Sequence, residues 1–363
     1  MELAAFAIST QGLTALTAGL PNAAALPAAL SDFLFEEIPM GGARASRLRE
    51  TLLQTVRTLR GTGVEVVALK GAVFAFFHYP DPALRPMGDL DLLLHDPRDL
   101  ARATEALAGA GWRALFDTPR HRVFARPDER IARPAAEDPD NPIRVEIHTS
   151  FRIPILGRVY DASAELRTEA EVRDLDGTPV SIAAGPALLR HLLFHAAEDF
   201  AGNGIRGIQA LDFRLLAQKA GSPLAPEEFG ILANSKTSSN GIEKKPAHGA
   251  APLLYAADAI ERLFPLTFKE IFLSSLSSRV SPILRARAAA LPALRYTRPA
   301  RGWTRTLLTL IDMPIPKARF FARTVFPGLG EVRANAAPGA TGLALALAYA
   351  RILGRRVTRA FRV

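Results

Sequence analysis

Cysteine is missing from all 363 positions. Its absence rules out disulfides, thiolate metal sites and cysteine nucleophiles together, and it fits a reducing compartment, so the cytoplasm is the expected location. Lysine and arginine are missing before Arg44. The Ala- and Leu-rich stretch from Met1 to Leu30 therefore lacks the positive region of a secretory signal and reads as helix. Long apolar runs are missing as well. The uncharged stretch from Gly342 to Ala350 falls well short of the roughly 20 residues that a membrane span requires, and no transmembrane segment is expected. No nucleophile-elbow motif, Walker phosphate loop or Rossmann glycine fingerprint occurs, which sets aside three large enzyme classes. Acidic residues are scarce at one end only: from Arg279 to Val363, sixteen basic residues face Asp312 and Glu331 alone, a net of +14. The rest of the chain carries −5 of the total +9. A basic third next to a mildly acidic front suits RNA, an acidic peptide or an anionic lipid surface, and it equally describes an arginine-rich solvated helical face.

What is present is enough apolar material for a sizeable core, with 48% hydrophobic and 22% charged residues in a length that predicts two domains. Ser46 to Arg60 puts Leu48, Leu52, Val56 and Leu59 on one helical stripe, the pattern of a helix that covers a sheet. Val64 to Leu69 reads as a buried strand, Gly71 to His78 as a short helix, Pro80 to Pro86 as a proline-punctuated loop and Leu90 to Leu94 as a second strand. Asp96-Pro97 is a helix start, and the apolar pattern after it runs to Leu107 before Gly109 and Gly111 stop it. Arg122 to Ala125 is a candidate third strand, Pro127 to Pro142 a surface loop and Ile143 to Phe151 a fourth strand. Beyond residue 185 the pattern turns helical, over Ala187 to Phe200, Gly207 to Ala220 and Leu253 to Phe264, with Leu232 to Pro252 as a flexible connection. The expectation is an α+β chain: an N-terminal helical segment over 1–45, a sheet domain with helices over 46–185, and a helical domain with a basic end over 186–363.

Chemistry concentrates around Gly88-Asp89-Leu90-Asp91. On a strand, side chains alternate faces, so Asp89 and Asp91 project side by side while Leu90 and Leu92 point into the core. Two adjacent carboxylates suit Mg²⁺, which keeps several waters and takes one or two carboxylates plus phosphate oxygens. Ala68-Leu69-Lys70-Gly71 ends a strand and opens a helix, a geometry in which backbone N–H groups receive phosphate, Gly71 allows close approach and Lys70 adds charge. Arg85 precedes the carboxylates and can reach a triphosphate. Ile143 to His148 alternates with Val145 and Ile147 on one face and Glu146 on the other, beside His148. Glu146 is a third carboxylate, and two Asp on one strand plus an acid on a neighbour are what two-metal phosphoryl transfer asks for.

Taken in order, the Lys-Gly turn, Tyr79-Pro80-Asp81-Pro82, the run Arg85-Pro86-Met87-Gly88-Asp89-Leu90-Asp91 and Val145-Glu146-Ile147-His148 resemble the bacterial "uncharacterised nucleotidyltransferase" family of the DNA polymerase beta superfamily. The resemblance covers roughly residues 45 to 220, and Phe321 to Asn335 has the flavour of that family's C-terminal region. It implies a polymerase-beta-like nucleotidyltransferase domain, a nucleoside triphosphate such as ATP as substrate, and two Mg²⁺, with Mn²⁺ as an alternative, held by Asp89, Asp91 and Glu146. Lys70, Gly71, Arg85, Gly88 and His148 are the implied nucleotide contacts. The superfamily usually has Gly-Ser where this chain has Lys70-Gly71. Members often stand beside lasso-peptide or other natural-product biosynthesis genes, so a modifying enzyme is implied and the acceptor is open: a peptide, a small molecule or tRNA. A toxin-like enzyme acting on tRNA and a non-catalytic binding protein on the same fold are the competing readings. The oligomeric state is open too.

His191 and His195 stand four apart on a helix, a spacing that can bind zinc, but the motif is His-Leu-Leu-Phe-His without the adjacent glutamate, which favours a structural pair or pocket lining. His148 can orient Glu146, contact nucleotide or merely sit on the strand surface. Asp212 is either a helix-surface acid paired with Arg206 or Arg214 or a group turned to the cleft. Trp112 and Trp303 read as core or interface anchors.

Overall fold

The computed structural model describes residues 28–118, 120–127, 138–155, 158–202, 205–222, 250–263 and 343–361, with isolated positions at 224, 267, 268, 273, 286, 332 and 341. Trp303, most of the basic C-terminal third and nearly all of the expected connection over 232–252 lie outside them.

The predicted stripe holds. Leu48, Leu52, Val56 and Leu59 are all buried on helix α1 (Ala28–Gly61), which continues across the expected boundary at residue 45. It covers one face of a seven-stranded mixed sheet, touching β2 (Asp89–Leu94) and β9 (Thr178–Ile182), and it packs on helix α3 (Leu100–Gly109). The strand order is β3-β4-β5-β2-β1-β9-β8. β2 lies at its centre, antiparallel to β1 (Val66–Ala68) and parallel to β5 (Arg144–His148). A parallel pair needs a crossover, and here the connection carries α3 and the hairpin of β3 (Arg113–Asp117) and β4 (His121–Ala125), which then pairs antiparallel with β5. β1 ends in a four-residue helix α2 (Lys70–Val73) that runs on as a π-turn, Phe74–His78.

The strand expected over Arg122 to Ala125 begins one residue earlier and is the fourth, because β3, entirely exposed, has no apolar alternation to announce it. The β6–β7 hairpin (Arg152–Ile155, Arg158–Asp161), helix α4 (Ser163–Thr168) and the β8–β9 hairpin (β8 being Glu171–Leu175) were not expected either. The expected change to helices near 185 holds, with α5 (Gly185–Gly202), α6 (Gly207–Lys219) and α7 (Ala250–Leu263) following β9. A last described helix, α8, spans Leu343–Phe361. No helix among the described residues is long and apolar enough to cross a membrane.

Candidate functional site

The registers of the central strands gather the acids. On the parallel β2–β5 pair Asp91 stands opposite Glu146 and Leu93 opposite His148. Asp89 and Asp91, two apart on β2, share the face of Glu146 and His148, while Leu90, Leu92, Val145 and Ile147 fill the opposite face and are fully buried. Asp89 is exposed at the rim and Asp91 is buried. Leu69 donates its N–H to the Asp91 carbonyl at 3.0 Å, which ties the β1–α2 turn to β2. The next residue, Lys70, takes φ 47°, a left-handed conformation uncommon outside glycine that costs about 1 kcal/mol. Its ammonium donates to Asp91 Oδ1 at 2.8 Å and lies 5.2 Å from the ring centre of Phe151. Gly71 packs closely on the segment that leads to Asp89: a Cβ there would come within 3.2 Å of Met87 Cβ, a tight contact that Met87 would have to yield to by a few tenths of an ångström.

His148 Nε2 also bonds Asp91 Oδ1, at 2.8 Å, and lies 3.6 Å from Glu146 Oε2. Burial opposes charge on Asp91, yet the Lys70 ammonium and the His148 hydrogen bond outweigh it and hold this carboxyl well below the usual carboxylate range. The same acids act on one another in the opposite sense. Glu146 is pushed up to about 7 by burial and then by the charges of Asp91 and Asp89. Surrounding protein and the Asp91 charge push Asp89 up as well. Burial lowers Lys70, but the carboxylates of Asp91, Asp89 and Glu146 more than offset it and the net shift is upward. Opposed shifts of this kind arise wherever acids and a buried ammonium are packed together, in functional sites and in structural ion-pair networks alike.

Lys70, Gly71, Arg85, Gly88, Asp89 and Asp91 line one cleft of about 320 Å³, walled on its other side by Leu192 and His195 of α5 and by Arg206, Gln209 and Asp212 around α6. Glu146 and His148 stand behind Asp91. Arg85 lines the cleft, but its guanidinium is engaged: Nε and Nη2 each lie 2.9 Å from the Asp212 carboxylate, and Nη1 donates to the Pro86 carbonyl. Tyr79 donates to Asp212 from the other side at 3.1 Å. Asp212 is thus buried rather than a surface acid, and its hydrogen-bond partners are Arg85 and Tyr79, with Arg206 acting on it only through its charge. The exposed cation in the cleft is Arg206, whose backbone N–H is capped by the Gln209 side chain at 2.9 Å. The first turn of α6 forms the wall there, so the positive end of its dipole meets the cleft beside Arg206.

Three contributors escape a reading of the sequence. Arg206 immediately precedes α6 and has no motif around it. Arg44 is buried and donates to the carbonyls of Met87, Gly88, Asp138, Asn141 and Pro142, binding the segment before β2 to the one before β5. His121 faces His148 across β4–β5, and extending the expected strand by one residue would have reached it. His191 and His195 fall on α5. His191 is fully buried with no hydrogen-bond partner on either ring nitrogen, edge-on to Phe151 at 4.2 Å, and burial holds it down to about 3. His195 Nδ1 meets Gln209 Nε2 at 3.0 Å, and Gln209 also donates to Asp199 at 2.5 Å. Neither histidine joins a set of three possible metal ligands among the described residues, whereas His121, Glu146 and His148 do. Trp112 is buried under the guanidinium of Arg126.

The carboxylate donors fit a hard divalent cation: three acids on one sheet face, one open to the cleft, with cationic side chains around them. Among solved structures, the crystal structure of an antigenic nucleotidyltransferase-like protein from Paracoccidioides brasiliensis is similar over 64% of this chain and 91% of that one, at 14% identity and a TM-score of 0.36. No curated protein matches the chain. A sequence profile of the family described as "Uncharacterised nucleotidyltransferase" matches residues 2–236, well over half the length, and the chain belongs to that family.

Proposed function

We propose that this chain transfers a nucleotidyl group from a nucleoside triphosphate, held in the cleft between β2 and the first turn of α6, to an acceptor hydroxyl or phosphate. The observation that carries the reading is the pairing of Asp91 with Glu146 across β2–β5, with Asp89 two residues along on the same face and open to the cleft. Bound Mg²⁺ supplies charge neutralisation for the phosphates and makes the acceptor oxygen a better nucleophile. Asp89, Asp91 and Glu146 would hold it. Arg206 and the first turn of α6 receive the triphosphate, and the Lys70-Gly71 turn lies against it from the sheet side. Arg85, clamped by Asp212, positions the segment that carries Asp89. An acceptor oxygen attacks the α-phosphorus, the new P–O bond forms as the bond to the β-phosphate oxygen breaks, pyrophosphate leaves, and Glu146 accepts the proton of an acceptor hydroxyl.

In this reading residues 46–185 supply catalysis and the helical part from 186 supplies the far wall of the cleft. The acceptor in this reading is a peptide or small molecule, with tRNA as the alternative that the basic C-terminal third of the sequence motivates. The test is incubation with each labelled triphosphate, Mg²⁺ and candidate acceptors including total tRNA. Label is expected to move to one acceptor class, with Asp89→Ala reducing transfer by at least about a thousandfold. If no triphosphate binds or turns over, and Asp89→Ala leaves the cellular phenotype intact, the chain is a binding protein on this fold.

A further inference from the structure

Strands β4, β5 and β2 lie side by side, and their registers bring nitrogen donors to Glu146 as well as oxygens. His121 stands opposite His148, and Glu146 is two residues before His148 on the same face. Glu146 Oε2 is 3.5 Å from His121 Nε2 and 3.6 Å from His148 Nε2, and the ligand atoms of all three fall within 4.8 Å of one another. Donors bound at ~2.0–2.1 Å to a tetrahedral ion sit roughly 3.4 Å apart, so both edges at Glu146 already have the length of a coordination edge. His121 is oriented for this: Thr118 Oγ1 lies 3.1 Å from its Nδ1, the outer contact that fixes a ligand imidazole with Nε2 toward the ion. Asp91 Oδ1, 2.8 Å from His148 Nε2 and also 2.8 Å from the Lys70 ammonium, becomes the fourth donor when Lys70 gives way to the ion.

A site meant for Mg²⁺ alone needs no imidazole, because Mg²⁺ takes oxygen ligands. Two histidines and a carboxylate are the donor set of zinc-class ions. We propose that His121, Glu146 and His148, closed by Asp91, bind one borderline-soft divalent ion beside the Asp89–Asp91 pair. His148 enters the ligand set with its proton on Nδ1. Four protein donors leave no open position, so the ion is held without substrate on it. It also takes two of the three carboxylates that the proposed function assigns to Mg²⁺, and on that reading zinc and the Mg²⁺-nucleotide exclude one another.

Co²⁺ is the probe, because four-coordinate Co²⁺ gives intense visible bands and six-coordinate Co²⁺ weak ones. The full chain, stripped with chelator and held in excess Mg²⁺, is expected to develop intense bands that saturate at one equivalent of Co²⁺ and bleach on adding Zn²⁺. His121→Ala should weaken binding at least a hundredfold. Thr118→Ala, which keeps every donor, should weaken it roughly tenfold to a hundredfold, and it decides the matter if His121→Ala does not fold. A weak six-coordinate spectrum, or unchanged affinity in the variant that folds, overturns the site. Binding of a fluorescent triphosphate analogue with Mg²⁺, measured alongside, separates the two readings. Nucleotide binding without cobalt bands removes only this site, and cobalt bands without nucleotide binding remove only the proposed function.

Discussion

Arg44 spends its guanidinium on five backbone carbonyls from two segments that are distant in sequence, and so fixes how far the approach to β2 lies from the approach to β5. Lysine carries the charge but not the planar fork, so Arg44→Lys leaves several of those carbonyls buried without a donor. The variant is expected to lose about 3 kcal/mol of stability, read from urea unfolding, since hydrogen bonds to a charged group contribute about 1.5–3 kcal/mol each and only some are replaced. Nothing local in the sequence announces this role. Asp89 and Asp91 are different: their shared face follows from strand alternation over three residues, which the sequence displays, whereas Glu146 joins them only through the pairing of β2 with β5. His121 stands one residue outside the strand read from the sequence, and Arg206 becomes a neighbour of these acids only through packing across a long stretch of chain, which no spacing rule reaches.

At the scale of elements, the Arg85–Asp212 pair is the bolt between the loop before β2 and helix α6, with both side chains almost wholly buried. Asp212→Asn keeps the shape and removes the charge, stranding the Arg85 guanidinium. A loss of about 3 kcal/mol is expected, the low end for breaking a buried pair. Hydrogen exchange should show it locally, with amides of Gly207–Lys219 exchanging faster and those of β2 still protected. Uniform exchange across both elements would deny α6 this dependence. Elements with an apolar stripe or run, such as α1, α5 and β2, are legible from sequence because burial dictates their composition. β3 and β8 are edge strands with exposed residues, and β6 and β9 carry Pro154 and Pro179, so their composition is that of loops. One signal was there to be read: Asp176-Gly177, with φ of 51° and 72°, is the two-residue turn of the β8–β9 hairpin.

Across the whole molecule, burial keeps a series of histidines neutral, His78 and His121 at about 4 and His191 at about 3. Raised acids such as Glu146 titrate in the opposite sense over part of the same range, so the total pH profile mixes both. Substituting one group isolates its share. His191 takes up a proton below about 6.5 when unfolded but only near 3 when folded, so it costs the parent protein stability as pH falls through that window. His191→Phe removes this cost together with two unpaired buried nitrogens. Its advantage over the parent should therefore grow as pH drops below about 6.5, by up to about 1.4 kcal/mol per unit, and stay flat above. Paired urea titrations at several pH values measure it, and an advantage independent of pH would mean that the ring is not held neutral.

The pairing of β2 with β5 also limits how this protein can diverge. Strand faces alternate with period two, so a single codon gained or lost just ahead of Glu146 would turn Glu146 and His148 into the core and deliver Val145 and Ile147 to the cleft. Point substitutions can erode the site one group at a time. A length change in that strand would erase the acid and the imidazole at once, so descendants that keep the chemistry should vary in residue type along β5 while its length stays fixed.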